Sequence, residues 1–435
     1  MGRSLTHGED VRPGHLRIVA QVLCIGLMAA AAWFFVHHLV YQPWHRFFDL
    51  RVYSGAVAWW VDGKPLYSYQ LPNTRYGFTY PPFAALLMTP LAVLGAGVAR
   101  VLVTAACALV VVAITWWLLA PVARRAGWTP WFAVGLALPV VFLLEPIRDT
   151  MGFGQVNLFI GALVFIDVIA LRRGHRWAGV AIGLAAAVKL TPAIFVLYLV
   201  LTRRWRPAAV AVGTFLAATA CAFVLATGTS LQFWTSTLWQ TSRVGSLDNP
   251  NNQSVMGVLA RAMFPAVPGQ LVWALLAGGV LALGMRRAVR AFRAGDELVG
   301  MTVTGLVGAL VSPISWGHHL VWIVPAIVVL VDVATGTRRD AGTPPFLRTP
   351  GRPSPLAAGV GAVAMIALFS SSLPWAFKVP GPGAPPRDDL LGILGQDTYV
   401  MALLALVALL PIRARVVAEP VVVAVRPSEP ALAAD

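Results

Sequence analysis

Asp49 has the setting that most invites chemistry. It stands in Phe47-Phe48-Asp49-Leu50, a few residues past a long apolar run, and the segment 50–61 that follows is rich in aromatic and apolar residues. A carboxylate wedged among such side chains is partly desolvated, which raises its basicity, as a general base requires. The plainer alternative is an aspartate that caps the helix after it; from physics alone the two readings stand level. Asp62, just before Gly63, reads as a turn residue. Lys189 lies in Val188-Lys-Leu-Thr-Pro192, where two short apolar stretches meet. An ionisable group at membrane depth is costly and therefore a functional candidate, the alternative being a lysine that snorkels to the interface. Further polar residues fall between apolar runs: Tyr80, the group Glu145, Arg148 and Asp149, Gln155 and Asn157, Asn252 and Gln253, and the pair His318-His319. The histidine pair reads equally well as anion ligands or as interfacial residues. Cations such as Lys189, Arg148 and these histidines suit a site where negative charge develops on a leaving group.

Several chemistries are excluded. The chain has no P-loop, no Rossmann glycine pattern and no zinc-binding helix motif. Cys24, Cys107 and Cys221 all sit inside apolar runs and read as small core residues, with no disulfide framework or metal site. The sixteen tryptophans mostly flank apolar runs, as an aromatic belt does, although Trp59, Trp60, Trp234, Trp239 and Trp316 also suit stacking on sugar faces.

The elements that must hold these residues are membrane helices. The 435 residues are 58% hydrophobic and 12% charged, with a mean hydropathy of +0.74, whereas a soluble domain carries about a quarter charged residues. Apolar runs of span length without strand-like alternation point to an all-α, polytopic chain. Twelve spans are expected, at 16–40, 98–120, 129–145, 155–171, 176–188, 190–202, 207–227, 268–285, 298–312, 318–334, 355–373 and 397–411. The net charge of +15 does not indicate nucleic acid, because the basic residues sit in short clusters between apolar runs. With 80–94 read as an interfacial or re-entrant helix opened by Pro81 and Pro82, every cluster falls on one side, from Arg124/Arg125 and Arg203/Arg204/Arg206 to Arg286/Arg287/Arg290/Arg293. The positive-inside rule makes that side cytoplasmic. The expected organisation is a cytoplasmic tail at 1–15, one membrane domain at 16–411 with a first outer loop at 41–97, and a second cytoplasmic tail at 412–435. The candidate residues then share the outer face.

Asp49-Leu-Arg-Val-Tyr53, Asp62-Gly-Lys-Pro-Leu-Tyr67 and Phe78-Thr-Tyr-Pro-Pro-Phe83 resemble the first periplasmic loop of actinobacterial polyprenyl-phosphate-mannose-dependent mannosyltransferases, glycosyltransferase family 87 with the GT-C fold. Gly154-Gln-Val-Asn157, Val188-Lys-Leu-Thr-Pro192, Asn252-Gln-Ser254 and Ser315-Trp-Gly-His-His319 are similar to the same family's signatures, so the likeness runs from about residue 40 to about 330. The resemblance implies a plasma-membrane enzyme of the cell envelope. It would move mannose from polyprenyl-phosphate mannose to a phosphatidylinositol mannoside or lipomannan, in an α-1,2 linkage, with inversion, on the periplasmic face. It places the base at Asp49 and leaves Lys189, His318, His319, Arg148, Tyr80, Gln155, Asn157, Asn252 and Gln253 as candidates for binding the substrate or the donor phosphate. The lone Asp49, with no Asp-X-Asp pair, leans towards a reaction without metal or other cofactor. The rival readings are a secondary transporter and a lipid-linked-sugar flippase or scaffold. Against the transporter stand the long aromatic outer loop with its early carboxylate and the absence of an internal repeat.

Overall fold

The computed structural model describes residues 45–240, 243–336, 354–379 and 384–413, with scattered positions between 21 and 37. The expected first span, both tails and the basic clusters at 3–17 and 338–352 lie wholly or largely outside the described residues. Everything regular among the described residues is helical apart from one isolated bridge, Asn252 to Trp316.

The chain runs through α1 (Phe48–Val61), α2 (Pro82–Met88), α3 (Ala96–Arg125), α4 (Pro130–Leu143), α5 (Glu145–Phe153), α6 (Asn157–Arg172), α7 (Val180–Val188), α8 (Ile194–Leu201) and α9 (Trp205–Leu225). It continues through α10 (Thr227–Thr235), α11 (Val255–Ala262), α12 (Gln270–Arg293), α13 (Glu297–Val311), α14 (Ile323–Ala334), α15 (Pro355–Ser371), α16 (Leu373–Ala376), α17 (Leu390–Gln396) and α18 (Thr398–Leu409). Every expected span after the first overlaps a helix. Among the described residues, α3, α9 and α12 are able by length and composition to cross a membrane alone; the number rises to five if the bent pairs α4–α5 (66°) and α17–α18 (60°) each count as one span. The others are shorter. The segment expected to be interfacial folds as seven α-helical residues and four 3-10 residues, Pro82–Ala92. At 1.5–2.0 Å per residue it covers little more than half of a roughly 30 Å hydrocarbon core.

Two cores are distinguishable. The larger joins α3, α6, α13, α14 and α18 through residues such as Leu306, Val329 and Leu403. The smaller lies within the segment 48–92, where Tyr53, Leu66, Tyr67, Phe78 and Ala84 pack with Phe233 of α10. Phe78 and Leu66 are fully buried there, each contributing about 1.5–3 kcal/mol, so the segment is a packed platform. Helix α1 belongs to both cores: Phe47 and Leu50 face the larger, Val52, Tyr53, Ala56 and Val57 the smaller.

The two ends of the bundle differ in charge. At one end Arg413 forks onto Asp296 (2.8 and 2.6 Å) and reaches Asp332 at 2.9 Å, while Arg125 binds the other oxygen of Asp332 at 2.6 Å. Arg204 pairs with Glu297 nearby, and Arg287 donates to the Leu410 carbonyl at 2.6 Å. This network ties together the C-terminal ends of α3, α12 and α14 and the N-terminal end of α13. Asp332 is thus a structural anchor. Asp167 is another, accepting from the Gly179 and Ile182 amides at 2.9 and 2.6 Å at the start of α7. The opposite ends of α6, α7 and α14 meet at Asn157, Lys189 and His319.

Candidate functional site

Asp49 is held by the corner between α5 and α6. The Phe47 amide donates to the Gly152 carbonyl at 3.0 Å, and Phe47 itself takes a left-handed φ of 52° to enter α1. Gly154 turns that corner at φ +67°, and a Cβ there would come within 2.6 Å of the Leu50 Cβ, so only glycine lets α1 approach this closely. Phe47 occupies the capping position; Asp49 lies inside the first turn, and none of the described backbone hydrogen bonds ends on its carboxylate. The capping alternative is therefore not what the geometry provides.

Its partner is Gln155. The Gln155 Oε1 accepts from the Val156 amide (2.9 Å) and from the Tyr80 hydroxyl (3.1 Å), which leaves its NH2 group to the Asp49 carboxylate. Tyr80 in turn meets the Tyr53 hydroxyl at 3.1 Å. Asp49 as a residue is half-buried, yet its carboxyl end lies deep enough that burial pushes its pKa from 3.8 up to about 7, with Lys189 and Gln155 drawing it partly back. A carboxyl poised there is matched to proton abstraction near neutral pH.

Lys189 ends α7 in an extended conformation. The break follows from Pro192, which cannot continue a helix through its own amide. The Lys189 ammonium donates to the Asn157 Oδ1 at 2.9 Å, lies 3.2 Å from the His319 Nε2 and sits 5.4 Å from the centroid of the Tyr80 ring. Asn157 takes one of its three protons, which leaves at least one for a further acceptor.

The loop that supplies the histidines is clamped from both sides. The Asn157 Nδ2 and the Thr150 hydroxyl each donate to the His318 carbonyl at 3.0 Å. The Asn252 Oδ1 accepts from the Ser315 amide at 2.9 Å, the Gln253 amide donates to the Ser315 carbonyl at 2.6 Å, and the Asn251 Oδ1 accepts from the Gly317 amide at 3.1 Å. The Trp316 amide reaches the His319 Nδ1 at 3.3 Å, orienting Nε2 towards Lys189. His318 is buried, and neither of its ring nitrogens has a partner among the described residues.

Of the residues singled out in the sequence, Asp49, Tyr80, Gln155, Asn157, Lys189 and His319 come together, with His318 beside them. Asn252 and Gln253 do not join them as ligand-facing groups. Both are fully buried, the Gln253 side chain spends itself on Pro250, Gln396 and Val400, and Asn252 holds the histidine loop. Arg148 also stands apart from Lys189, bonded to Asp149 at 3.2 Å and Ser372 at 2.5 Å. It belongs to an adjoining polar group in which His45 meets Asp149 at 3.2 Å and Glu145 accepts from Tyr399 (2.5 Å) and Trp375 (3.1 Å). Tyr53 was overlooked, although its place four residues after Asp49 puts it on the same helical face. Thr150 had no comparable signal.

Lys189, Asn157 and His319 line a narrow cleft of about 60 Å³ together with Phe195, Trp322 and the small residues Gly161, Gly305 and Gly308. A helical frame with helices able to cross a membrane thus brings a carboxylate and a cation together at one end. The protein-family model for glycosyltransferase family 87 matches residues 78–313. The chain is 35% identical over 320 residues (69% of this chain, 72% of the relative) to a polyprenol-phosphate-mannose-dependent α-(1-2)-phosphatidylinositol mannoside mannosyltransferase of Mycobacterium tuberculosis. It is 33% identical over 355 residues (76% and 79%) to the protein of the same name in Mycolicibacterium smegmatis. To a phosphatidylinositol pentamannoside mannosyltransferase of M. tuberculosis it is 36% identical over 297 residues (66% and 67%). No solved structure matches. The chain belongs to glycosyltransferase family 87 and is an enzyme.

Proposed function

We propose that this enzyme transfers mannose from polyprenyl-phosphate mannose to a phosphatidylinositol mannoside, forming an α-1,2 linkage with inversion on the periplasmic face. The relatives' names support the donor and the linkage. The observation that carries the mechanism is the meeting of Asp49, on its Gln155–Tyr80 support, with Lys189. Asp49 takes the proton of the acceptor hydroxyl while that oxygen bonds to C1. The bond from C1 to the phosphate oxygen breaks, and polyprenyl phosphate leaves with the electron pair. Lys189, with His319 and the unpartnered His318 nitrogens close by, meets the charge growing on the phosphate. This reading includes twelve crossings, a GT-C architecture with α1 and α2 on the periplasmic side, cytoplasmic termini, and a reaction that needs no metal.

The rival transporter and flippase readings give way to membership of a glycosyltransferase family. Acceptor length is left open by comparable identity to relatives named for two acceptors. Purified enzyme given radiolabelled polyprenyl-phosphate mannose and mannosides of increasing length should yield a product sensitive to α-1,2-mannosidase, with undiminished yield in chelator. No labelled glycolipid with any of these acceptors would refute the proposal.

A further inference from the structure

At the basic end of the molecule, a groove between α8 and α12 holds about 1120 Å³, its open side included. Its floor is apolar, with Leu197 and Leu201 on α8 facing Leu281, Met285 and Val289 on α12. Its rim carries Arg286, Arg290 and Arg293, all exposed. Their spacing of four and then three residues stacks the guanidinium groups along one helical face. Among the described residues, none of the three makes an ion pair. The nearby carboxylates are already occupied, Glu297 by Arg204 and Tyr198, Asp296 by Arg413. Arg125, Arg204, Arg261 and Arg413 each hold a carboxylate, so this uncompensated row is unlike the arginines that stabilise the fold. Apolar depth beneath an unneutralised row of arginines is complementary to a molecule with a hydrocarbon chain and an anionic head.

We propose that this groove binds an anionic phospholipid of the leaflet on the basic side, its phosphate on Arg286, Arg290 and Arg293 and an acyl chain lying along Leu197 and Leu281 towards Gly278. The site is remote from Asp49 and does not depend on the proposed transfer reaction. A basic residue at a lipid surface strengthens binding about fivefold, so three together give roughly a hundredfold preference for an anionic over a zwitterionic lipid.

The test uses the full chain in detergent, with native mass spectrometry of bound lipid after titration with phosphatidylglycerol or with phosphatidylcholine of identical chains. Wild type is expected to retain phosphatidylglycerol preferentially, R286Q/R290Q/R293Q to lose that preference, and inorganic phosphate to compete weakly because it lacks a chain. Gly278→Trp is the second variant. A Cβ at Gly278 meets nothing within 4 Å, so the indole fills the groove without moving the core, and retention should fall with every arginine present. Equal retention of both lipids by wild type would overturn the proposal. So would full phosphatidylglycerol retention in Gly278→Trp, even if the triple variant failed to fold. Displacement by millimolar phosphate alone would reassign the site to a free anion and equally overturn it.

Discussion

Asp49 and Lys189 set each other's protonation, and this makes their roles separable by experiment. Asp49→Asn is nearly isosteric, and loss of a general base typically removes about 10²–10⁴-fold of rate. A folded, monodisperse Asp49→Asn enzyme should fall by that much in a labelled-mannose assay; a loss of less than about tenfold would assign the base elsewhere. The wild-type pH profile carries the same information. Burial raises the Asp49 carboxyl to about 7, so it holds a proton below that pH and is free above it. Transfer should therefore fall roughly tenfold per unit below about pH 7 and decline again above about pH 8, where burial leaves the Lys189 ammonium increasingly uncharged. Lys189 pulls the Asp49 pKa down, so Lys189→Ala should move this acidic limb to higher pH. It should also cost about ten- to a hundred-fold at the optimum, the scale of one charge-assisted contact to phosphate. A limb that stays in place in Lys189→Ala would show that the two groups do not communicate. In the sequence Asp49 stood out because a carboxylate among phenylalanines is partly desolvated, but base and helix cap stood level there. Its dependence on Gln155 was not legible, because that contact joins α1 to the corner between α5 and α6 and rests on how one amide divides its hydrogen bonds.

At the scale of elements, the site is a loop and a broken helix brought to one point. The junction at Lys189 was legible from Pro192, and so was the shortness of the segment after Pro81-Pro82, since proline acts on the backbone locally. The duties of Asn252 and Gln253 were not legible, because an asparagine in a polar loop reads alike whether it faces a ligand or holds another loop. The geometry assigns Asn252 to holding Ser315-Trp-Gly-His-His319 through the Ser315 amide. Asn252→Ala should therefore lower melting temperature and transfer together, since a buried amide left unpaired costs about 1–3 kcal/mol, whereas Asp49→Asn should lower transfer alone. Differential scanning fluorimetry beside the transfer assay checks this pair. Transfer lost at an unchanged melting temperature in Asn252→Ala would return that residue to the substrate-binding set.

Among the described residues, the basic clusters and the Asp49 site occupy opposite ends of the helical bundle, and the proposed orientation follows from that polarity. In a chain without native cysteines, single cysteines at Gly63 and Thr229 should react with an impermeant thiol reagent added to intact cells, and those at Ala126 and Gly174 should not. Labelling at Ala126 would invert the arrangement or turn 80–94 into a crossing. Arg413 bears on the same architecture: removing one partner of a buried ion pair costs about 3–5 kcal/mol, so Arg413→Ala should lower the melting temperature sharply while leaving the Asp49 pH limb in place. The Arg413 network also sets a timetable for biosynthesis. Arg413 lies 117 residues after Asp296 and 81 after Asp332. At about 5–20 residues per second, a ribosome leaves Asp296 without this partner for roughly 6–23 s, and Asp332 without it for somewhat less. During that interval α13 and α14 are made but not yet locked by Arg413, so synonymous codons that slow translation over the last hundred residues should lower the yield of folded protein, measured by fluorescence-detection size exclusion.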